Sequence, residues 1–321
     1  MTRILGNMIY RITEVAFFSV FRSNFDQVVT LVESTDQSNP NYVHPCAPLI
    51  KLLTNGSFYF SFDFNLTISM QKRFTARASG DGIDSRDSFQ VLDNHFLWNK
   101  HMLDSLFMIR DQQMSSQQKF ELEVSGLVLH VTCGFVGSDS FRYKGEDYTL
   151  YALSRVSCKR TGARFMARGI DDHGNVSNFV ETEFILRNER FLLSFLQIRG
   201  SVPLFWEQNG VQVTHRIELS RSVEAALPAF RKHFEEIVER YERIHIVNLL
   251  KIEPTSNEFQ LCDAYRASSA GLTDLRDALQ YTSFDFHAVV GRDSYDRVHS
   301  LFFRTTDPAA HRTHKSSHPA F

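Results

Sequence analysis

The chain has 321 residues, enough for about two domains at roughly 150 residues each. Hydrophobic residues make up 43% and charged residues 22%, which excludes an intrinsically disordered chain. The 35 basic and 37 acidic residues leave a net charge of −2, which excludes a whole-chain electrostatic grip on nucleic acid or an anionic membrane and leaves anion binding to local clusters.

With 29 Phe and 8 Pro, the composition favours strands and large aromatic cores. No uncharged apolar stretch approaches the ~18–20 residues needed to span a bilayer. The seven-residue run Val15–Phe21 lies between Glu14 and Arg22, lacks the layout of a signal peptide and reads as a core strand. Cys46, Cys133, Cys158 and Cys262 are scattered, which fits a reducing cytosol without disulfides.

In chain order, Ile12–Phe18 and Val28–Glu33 are β-branched and aromatic runs, separated by a turn-rich break at Ser34–Pro40 from a short helix at Pro45–Leu53. Asn55-Gly56 turns the chain into Ser57–Thr67, where Phe58, Phe60, Phe62, Phe64 and Leu66 alternate at period two, a strand signal. Phe74–Phe89 reads as a polar loop, Phe96–Met108 as a helix and Leu122–Val136 as a strand. Hairpins follow: Tyr148–Ser157, the turn Lys159–Gly162, Ala163–Ile170, the turn Asp171–Asn175, Val176–Leu186 and Phe191–Arg199. Asn209-Gly210 between Leu204–Gln208 and Val211–Leu219 is the pattern of a type I′ hairpin.

From Ser220 the period becomes helical. Ser222 is an N-cap candidate, and Phe230, Phe234, Ile237 and Tyr241 follow at helical spacing. Ile244–Leu250 reads as a strand, Phe259–Tyr265 as a helix, Tyr281–Phe286 as a strand and Tyr295–Phe302 as a third helix, an alternation that predicts a partly parallel α/β sheet. Residues 305–321 contain two prolines and three histidines without periodicity and read as a disordered tail.

Four constellations bear on chemistry. Arg155, Lys159, Arg160, Arg164 and Arg168 place five positive charges within fourteen residues, with no acid among them. Arg164 and Arg168 share a face if Ala163–Ile170 is a strand, and guanidinium groups donate paired hydrogen bonds that suit phosphate. The plainer alternative is a solvated strand face paired with Asp171, Asp172, Glu181 and Glu183. Second, Cys158 and Arg164 satisfy Cys-x5-Arg, the loop of cysteine-dependent phosphatases. That chemistry needs a helix N-terminus to lower the thiol pKa, and here the following residues read as hairpin, so the match is a decoy. Third, His311, His314 and His318 have metal-like spacing, but Pro308 and Pro319 flank them and no apolar face supports a helix, so no metal site is read. Fourth, Asp285 and His287 in Phe284–His287 end a predicted strand, where open α/β sheets bind ligands; a helix cap is the plainer alternative.

Ser154–Glu183, SRVSCKRTGARFMARGIDDHGNVSNFVETE, resembles the signature of Sac-type phosphoinositide phosphatases. Ser194–Gln208, SFLQIRGSVPLFWEQ, is close to synaptojanins. Upstream, His44-Pro-Cys46, Lys51–Thr67 and Phe96–Asn99 are similar to the amino-terminal half of the same domain, most like fungal synaptojanin-like proteins. Downstream, Ile246–Leu250 and Ser283–His287 match in order, so the resemblance covers about residues 12–303.

The resemblance implies an α+β fold: a β-rich amino-terminal Sac subdomain (1–147), then an incomplete cysteine-phosphatase-like α/β subdomain (148–304), with 305–321 outside the family pattern. It implies dephosphorylation of inositol lipids at cytosolic membrane surfaces through a cysteinyl-phosphate, with a phosphoinositide headgroup as partner, no nucleic acid, no transmembrane segment and no cofactor or metal. Lys159, Arg160, Arg164, Arg168, Arg199, Asp285 and His287 become headgroup-binding candidates. The family's nucleophile loop would follow the segment equivalent to Ser294–Arg304, where this chain leaves the pattern. The expectations are therefore a truncated fragment that is inactive as it stands and poorly soluble, or else a non-catalytic phosphoinositide-binding or scaffold protein.

Overall fold

A computed structural model describes residues 2–4, 7–12, 19–22, 27–30, 47–62, 64–78, 92–125, 128–162, 167–209, 216–291 and 295–298. The chain divides into two compact units, one of residues 1–158 with 181–197, the other of 159–180 with 198–321.

The first unit is built on a sheet. Its strands are β1 (Thr2–Ile4), β2 (Asn7–Arg11) and, after the hairpin β3 (Ser19–Arg22) and β4 (Gln27–Thr30) and the helix α1 (Ala47–Leu53), β5 (Phe58–Phe60). Helices α2 (Met70–Ala78), α3 (Lys100–Gln113) and α4 (Ser116–Val124) come next, then the long strands β6 (Thr132–Tyr143) and β7 (Glu146–Val156). With β8 (Val180–Arg187) and β9 (Leu192–Arg199) they form a seven-stranded sheet in the order β1-β2-β5-β6-β7-β8-β9, antiparallel from β1 through β7. Alternation explains the burial. Tyr151, Leu153 and Arg155 turn to the core side of β7, and Glu181, Glu183 and Ile185 are likewise buried on β8. Ile9, Tyr59, Phe64, Leu66, Tyr151, Leu153 and Ile185 form the main apolar cluster.

In the second unit, β10 (Trp206–Asn209) pairs with β11 (Arg216–Leu219), and helix α5 (Val223–Tyr241) packs next to them through Phe230 and Phe234. Ser222 caps α5, its hydroxyl accepting from the Ala225 amide, as the sequence predicts. β12 (Ile244–Asn248) and β13 (Leu279–Ser283) pair in parallel with helix α6 (Phe259–Ala270) crossing between them, the predicted βαβ alternation. Helix α7 (Phe286–Val290) follows, then a short 3-10 turn at Tyr295–Val298. Leu204, Trp206, Phe230, Phe234, Leu261 and Tyr265 dominate the core.

Several local expectations give way. The alternating run Ser57–Thr67 is strand only over β5; Phe64 and Leu66 are buried beyond it, whereas Phe62 is exposed. Phe74 lies in helix α2, not in a loop, and Leu122–Val124 lie in helix α4, not in a strand. The α4 start carries a reciprocal capping box between Ser115 and Gln118, a local signal that overrides the apolar alternation further on. Asn209 pairs with Arg216, which excludes the two-residue turn at Asn209-Gly210. Ala167–Gly169 is not strand, and Ile170 makes only an isolated bridge to Val176; Ala163–Met166 fall outside the described residues. The expected boundary after residue 147 falls within β7, which pairs with β6 in the first unit.

Candidate functional site

The five clustered cations separate. Arg155 belongs to the first unit, where it is one of the most deeply buried large side chains (2% exposed). Its guanidinium donates to Glu181 at 2.8 Å, to Glu183 at 3.2 Å, and to the carbonyls of Leu66 at 2.7 Å and Ile68 at 3.2 Å. Glu183 in turn accepts from the amides of Met70 and Gln71, both at 3.0 Å, and from the Ser194 hydroxyl at 2.7 Å. Helix α2 has no acid in its first turn, so the β8 carboxylate meets its exposed N–H groups and positive dipole end from 113 residues away. Arg73 donates to the Asn65 carbonyl and lies over the Phe64 ring; burial and the nearby Arg155 charge pull its pKa down to about 10, against the attraction of Glu183. This cluster is internal scaffolding, and it corrects the reading of Arg155 as part of a ligand-facing basic patch. The alternation of Glu181 and Glu183 in one strand was its sequence signal: both point inward on β8, where a buried cation and hydrogen-bond donors make them tolerable.

Lys159, Arg160 and Arg168 lie in the second unit. Lys159 and Arg160 are exposed in a turn, and Arg160 adopts φ 42°, a left-handed conformation uncommon for a side-chain-bearing residue. Its guanidinium donates to the Ser177 hydroxyl at 3.0 Å and to the Arg168 carbonyl at 2.9 Å. Arg168 donates to Gln208 at 2.8 Å and stacks over Trp206 at 5.3 Å. Gly169 makes this turn possible. Its φ is +67°, and a Cβ would lie 2.3 Å from the Leu204 carbonyl oxygen. The Gly169 amide donates to the Ser201 hydroxyl at 2.8 Å. Arg199, also in this unit, is exposed at the end of β9 and makes no ion pair among the described residues. Arg164 lies outside the described residues, so the predicted Arg164–Arg168 face has only its second member there, and that member is not on a strand.

Cys158 sits in a bend that leads into the turn at Lys159-Arg160, and among the described residues up to Gly162 no helix begins after it. Its thiol points to the Asn94 carbonyl at 3.3 Å, and its amide donates to the His95 carbonyl at 2.7 Å. A carbonyl oxygen repels a thiolate, and the helix-end amides that would stabilise one are absent here among the described residues.

Asp285 and His287 flank the start of α7. Asp285 caps it, accepting from the Ala288 amide at 2.9 Å and from the Ile252 amide at 3.2 Å. Burial opposes its ionisation, but these N–H donors and the neighbouring His287 outweigh it and hold the carboxyl below its ordinary range. His287 is exposed in the first turn. Asp285 thus fills the capping role, tying the segment after β12 to the end of β13. The described residues contain no group of three His, Cys, Asp or Glu side chains arranged to hold a metal; His311, His314 and His318 fall outside them. No helix among the described residues is long and apolar enough to cross a membrane.

The chain belongs to the SacI homology domain family, which it matches over residues 1–291. It is 37% identical over 88% of its length to inositol-1,4,5-trisphosphate 5-phosphatase 1 of Schizosaccharomyces pombe, covering 26% of that protein. It is 35% identical over 92% of its length to polyphosphatidylinositol phosphatase INP53 of Saccharomyces cerevisiae, covering 27%, and 32% identical over 88% to human synaptojanin-1, covering 16%. The chain therefore spans about a quarter or less of the length of these relatives.

Proposed function

We propose that this chain is the inositol-lipid-recognising part of a phosphoinositide phosphatase that works at cytosolic membrane surfaces. The observation that carries the reading is family membership over residues 1–291, with relatives named as phosphatases of inositol phosphates and phosphoinositides. In this reading the headgroup is held by Lys159, Arg160, Arg164, Arg168 and Arg199, with His287 at the end of the parallel strand pair. The exposure of Lys159, Arg160 and Arg199 supports it, as does the anchoring of Arg168 by Gln208 and Trp206, which limits the rotamer entropy lost on binding. The second unit is then the phosphatase-like α/β subdomain, a reading its parallel β12–α6–β13 crossover supports.

We further infer that the 321-residue polypeptide binds without hydrolysing. In the cysteine-dependent chemistry of this reading, a thiolate attacks phosphorus, the P–O bond to the inositol breaks, and water later releases phosphate from the sulfur. Among the four cysteines only Cys158 has Arg six residues on, and its thiol faces the Asn94 carbonyl, whose oxygen opposes a thiolate there. Two measurements test this. Vesicles with a phosphoinositide should sediment the chain better than vesicles without, and the triple variant Arg160→Ala/Arg168→Ala/Arg199→Ala should remove the difference; equal sedimentation of the parent chain by both refutes headgroup recognition. Phosphate release should be absent from both the parent chain and Cys158→Ser; turnover by the parent that the Ser variant abolishes refutes the decoy reading.

A further inference from the structure

We propose that the tip of the β6–β7 hairpin is a docking element for an anionic lipid surface. The strands pair continuously from Cys133↔Val156 to Tyr143↔Glu146. Every residue of β6 from Ser138 to Tyr143 is exposed, whereas the facing β7 residues Glu146, Tyr148, Thr149 and Leu150 are half-buried. At about 3.4 Å per residue, those six positions run roughly 20 Å along the edge to the turn, with Asn188 and Arg190 bonded alongside at Glu146. The turn is tight and preset, with Lys144 at φ 51° and Gly145 at φ 84°, the pattern of a type I′ turn. Arg142 fastens it by donating to the Gly145 carbonyl at 3.2 Å.

The tip presents an unusual pair of chemistries. Phe141 and Tyr143, two residues apart on one face, are 44% and 56% exposed. Tyr148 stacks on Phe141 at 5.6 Å, and Phe191 lies 6.2 Å from Tyr148, so the aromatic face continues behind the tip. Lys144 holds its ammonium 5.2 Å from the Tyr143 ring centroid. The acids nearest the turn are matched by cations. Glu146 pairs with Arg190 at 3.0 Å and also accepts from Tyr148 and Asn188, and Asp147 faces Arg142 at 3.6 Å. Lys144 is the cation at the apex itself; Asp139 lies further back along β6, and Arg187 and Glu189, of opposite charge, line a pocket with Phe141 and Arg142 beside it. Amphipathic rings partition into the headgroup region of a bilayer, and a cation beside them draws the element toward anionic lipid. A preset tip with exposed rings and an apical lysine suits that surface. It rests on the reading that the chain works at membranes, yet it needs no phosphoinositide and uses none of the headgroup-binding residues.

The test uses the full chain and vesicles free of phosphoinositide, made of phosphatidylcholine alone or mixed with phosphatidylserine. The parent chain should sediment with the mixed vesicles and not with the neutral ones. Tyr143→Ser/Lys144→Ser, whose sites are exposed and whose melting temperature should match the parent, should bind the mixed vesicles about tenfold more weakly. Because these vesicles carry no phosphoinositide, their binding reads this element apart from headgroup recognition, and Phe120→Ser, at an exposed site on α4, should bind them as the parent does. Tyr143→Trp should shift its fluorescence to the blue when mixed vesicles are added. Parent-like binding by the Ser variant, an unshifted Trp spectrum, or no binding of the parent chain to phosphatidylserine would each overturn the proposal.

Discussion

Replacing Arg155 by Met tests the account of the buried ion cluster most sharply. The guanidinium serves two carboxylates and two carbonyls, and Met fills much of its volume while supplying no donor. Glu181 and Glu183, 4% and 0% exposed, then remain inside with one fewer cation. Glu183 keeps three donors in Met70, Gln71 and Ser194, so its desolvation is only partly uncovered. Removing one partner of a buried pair costs about 3–5 kcal/mol, because the other charge is left uncompensated. At about 2–4 °C per kcal/mol for a unit near 175 residues, the melting temperature of the first unit should fall by about 6–20 °C. Arg155→Lys keeps the charge but cannot reproduce the forked geometry, and should fall between parent and Met variant. Differential scanning calorimetry measures both. A Met variant that melts within about 2 °C of the parent would refute the reasoning, since the desolvation cost of the guanidinium would then cancel its four hydrogen bonds.

His233 gives a pH dependence. It is buried on α5 with Nδ1 3.0 Å from the Gly174 carbonyl, and burial pushes its pKa down to about 4 against the pull of that hydrogen bond. The unfolded chain then binds the proton that the folded chain refuses, so stability is complete above about pH 6.5 and declines toward pH 4, by about 3 kcal/mol if the whole shift is expressed. Urea midpoints at several pH values should show this loss, and His233→Asn, which can still donate to Gly174, should flatten it; an unchanged acid limb would count against the assignment. His130, also pushed to about 4 by burial and by the Arg110 charge, should contribute a second, independent part of the same limb that His130→Gln removes. Gly169→Ala should destabilise the second unit by more than about 2 kcal/mol, since both the positive φ and the Leu204 carbonyl oppose a Cβ; a parent-like denaturation curve would show that the turn relaxes freely.

Elements with a strong period or cap were legible in the sequence. The Phe230–Phe234–Ile237 spacing with Ser222 ahead of it gives α5, because burial along one helical stripe leaves a local imprint, and short apolar runs alternating with helical segments give the parallel pair β12–β13, although neither strand is fully buried. Ser57–Thr67 misleads because after Phe60 the chain leaves the sheet, burying Phe64 and Leu66 by a non-strand path and leaving Phe62 exposed. Of the candidate site, the cations were legible as a cluster, but their fates were not: charge runs do not say which member turns inward.

What the amino-acid order settles by itself is the family and the inventory, namely the two long signature blocks, the five cations within fourteen residues and the single Cys-x5-Arg spacing. What only the tertiary structure decides is the partition of those cations. Strand alternation on β7 and β8 turns Arg155, Glu181 and Glu183 to one side, and loop 64–69 with the first turn of α2 closes over them, so Arg155 becomes scaffold. Lys159 and Arg160, only a few positions further on, are exposed because the strand has ended at Val156, although the Arg160 guanidinium still bonds to Ser177 and to the Arg168 carbonyl. The physical reason is range: solvent exposure depends on residues 26 to 89 positions away in the chain, and no local spacing encodes them.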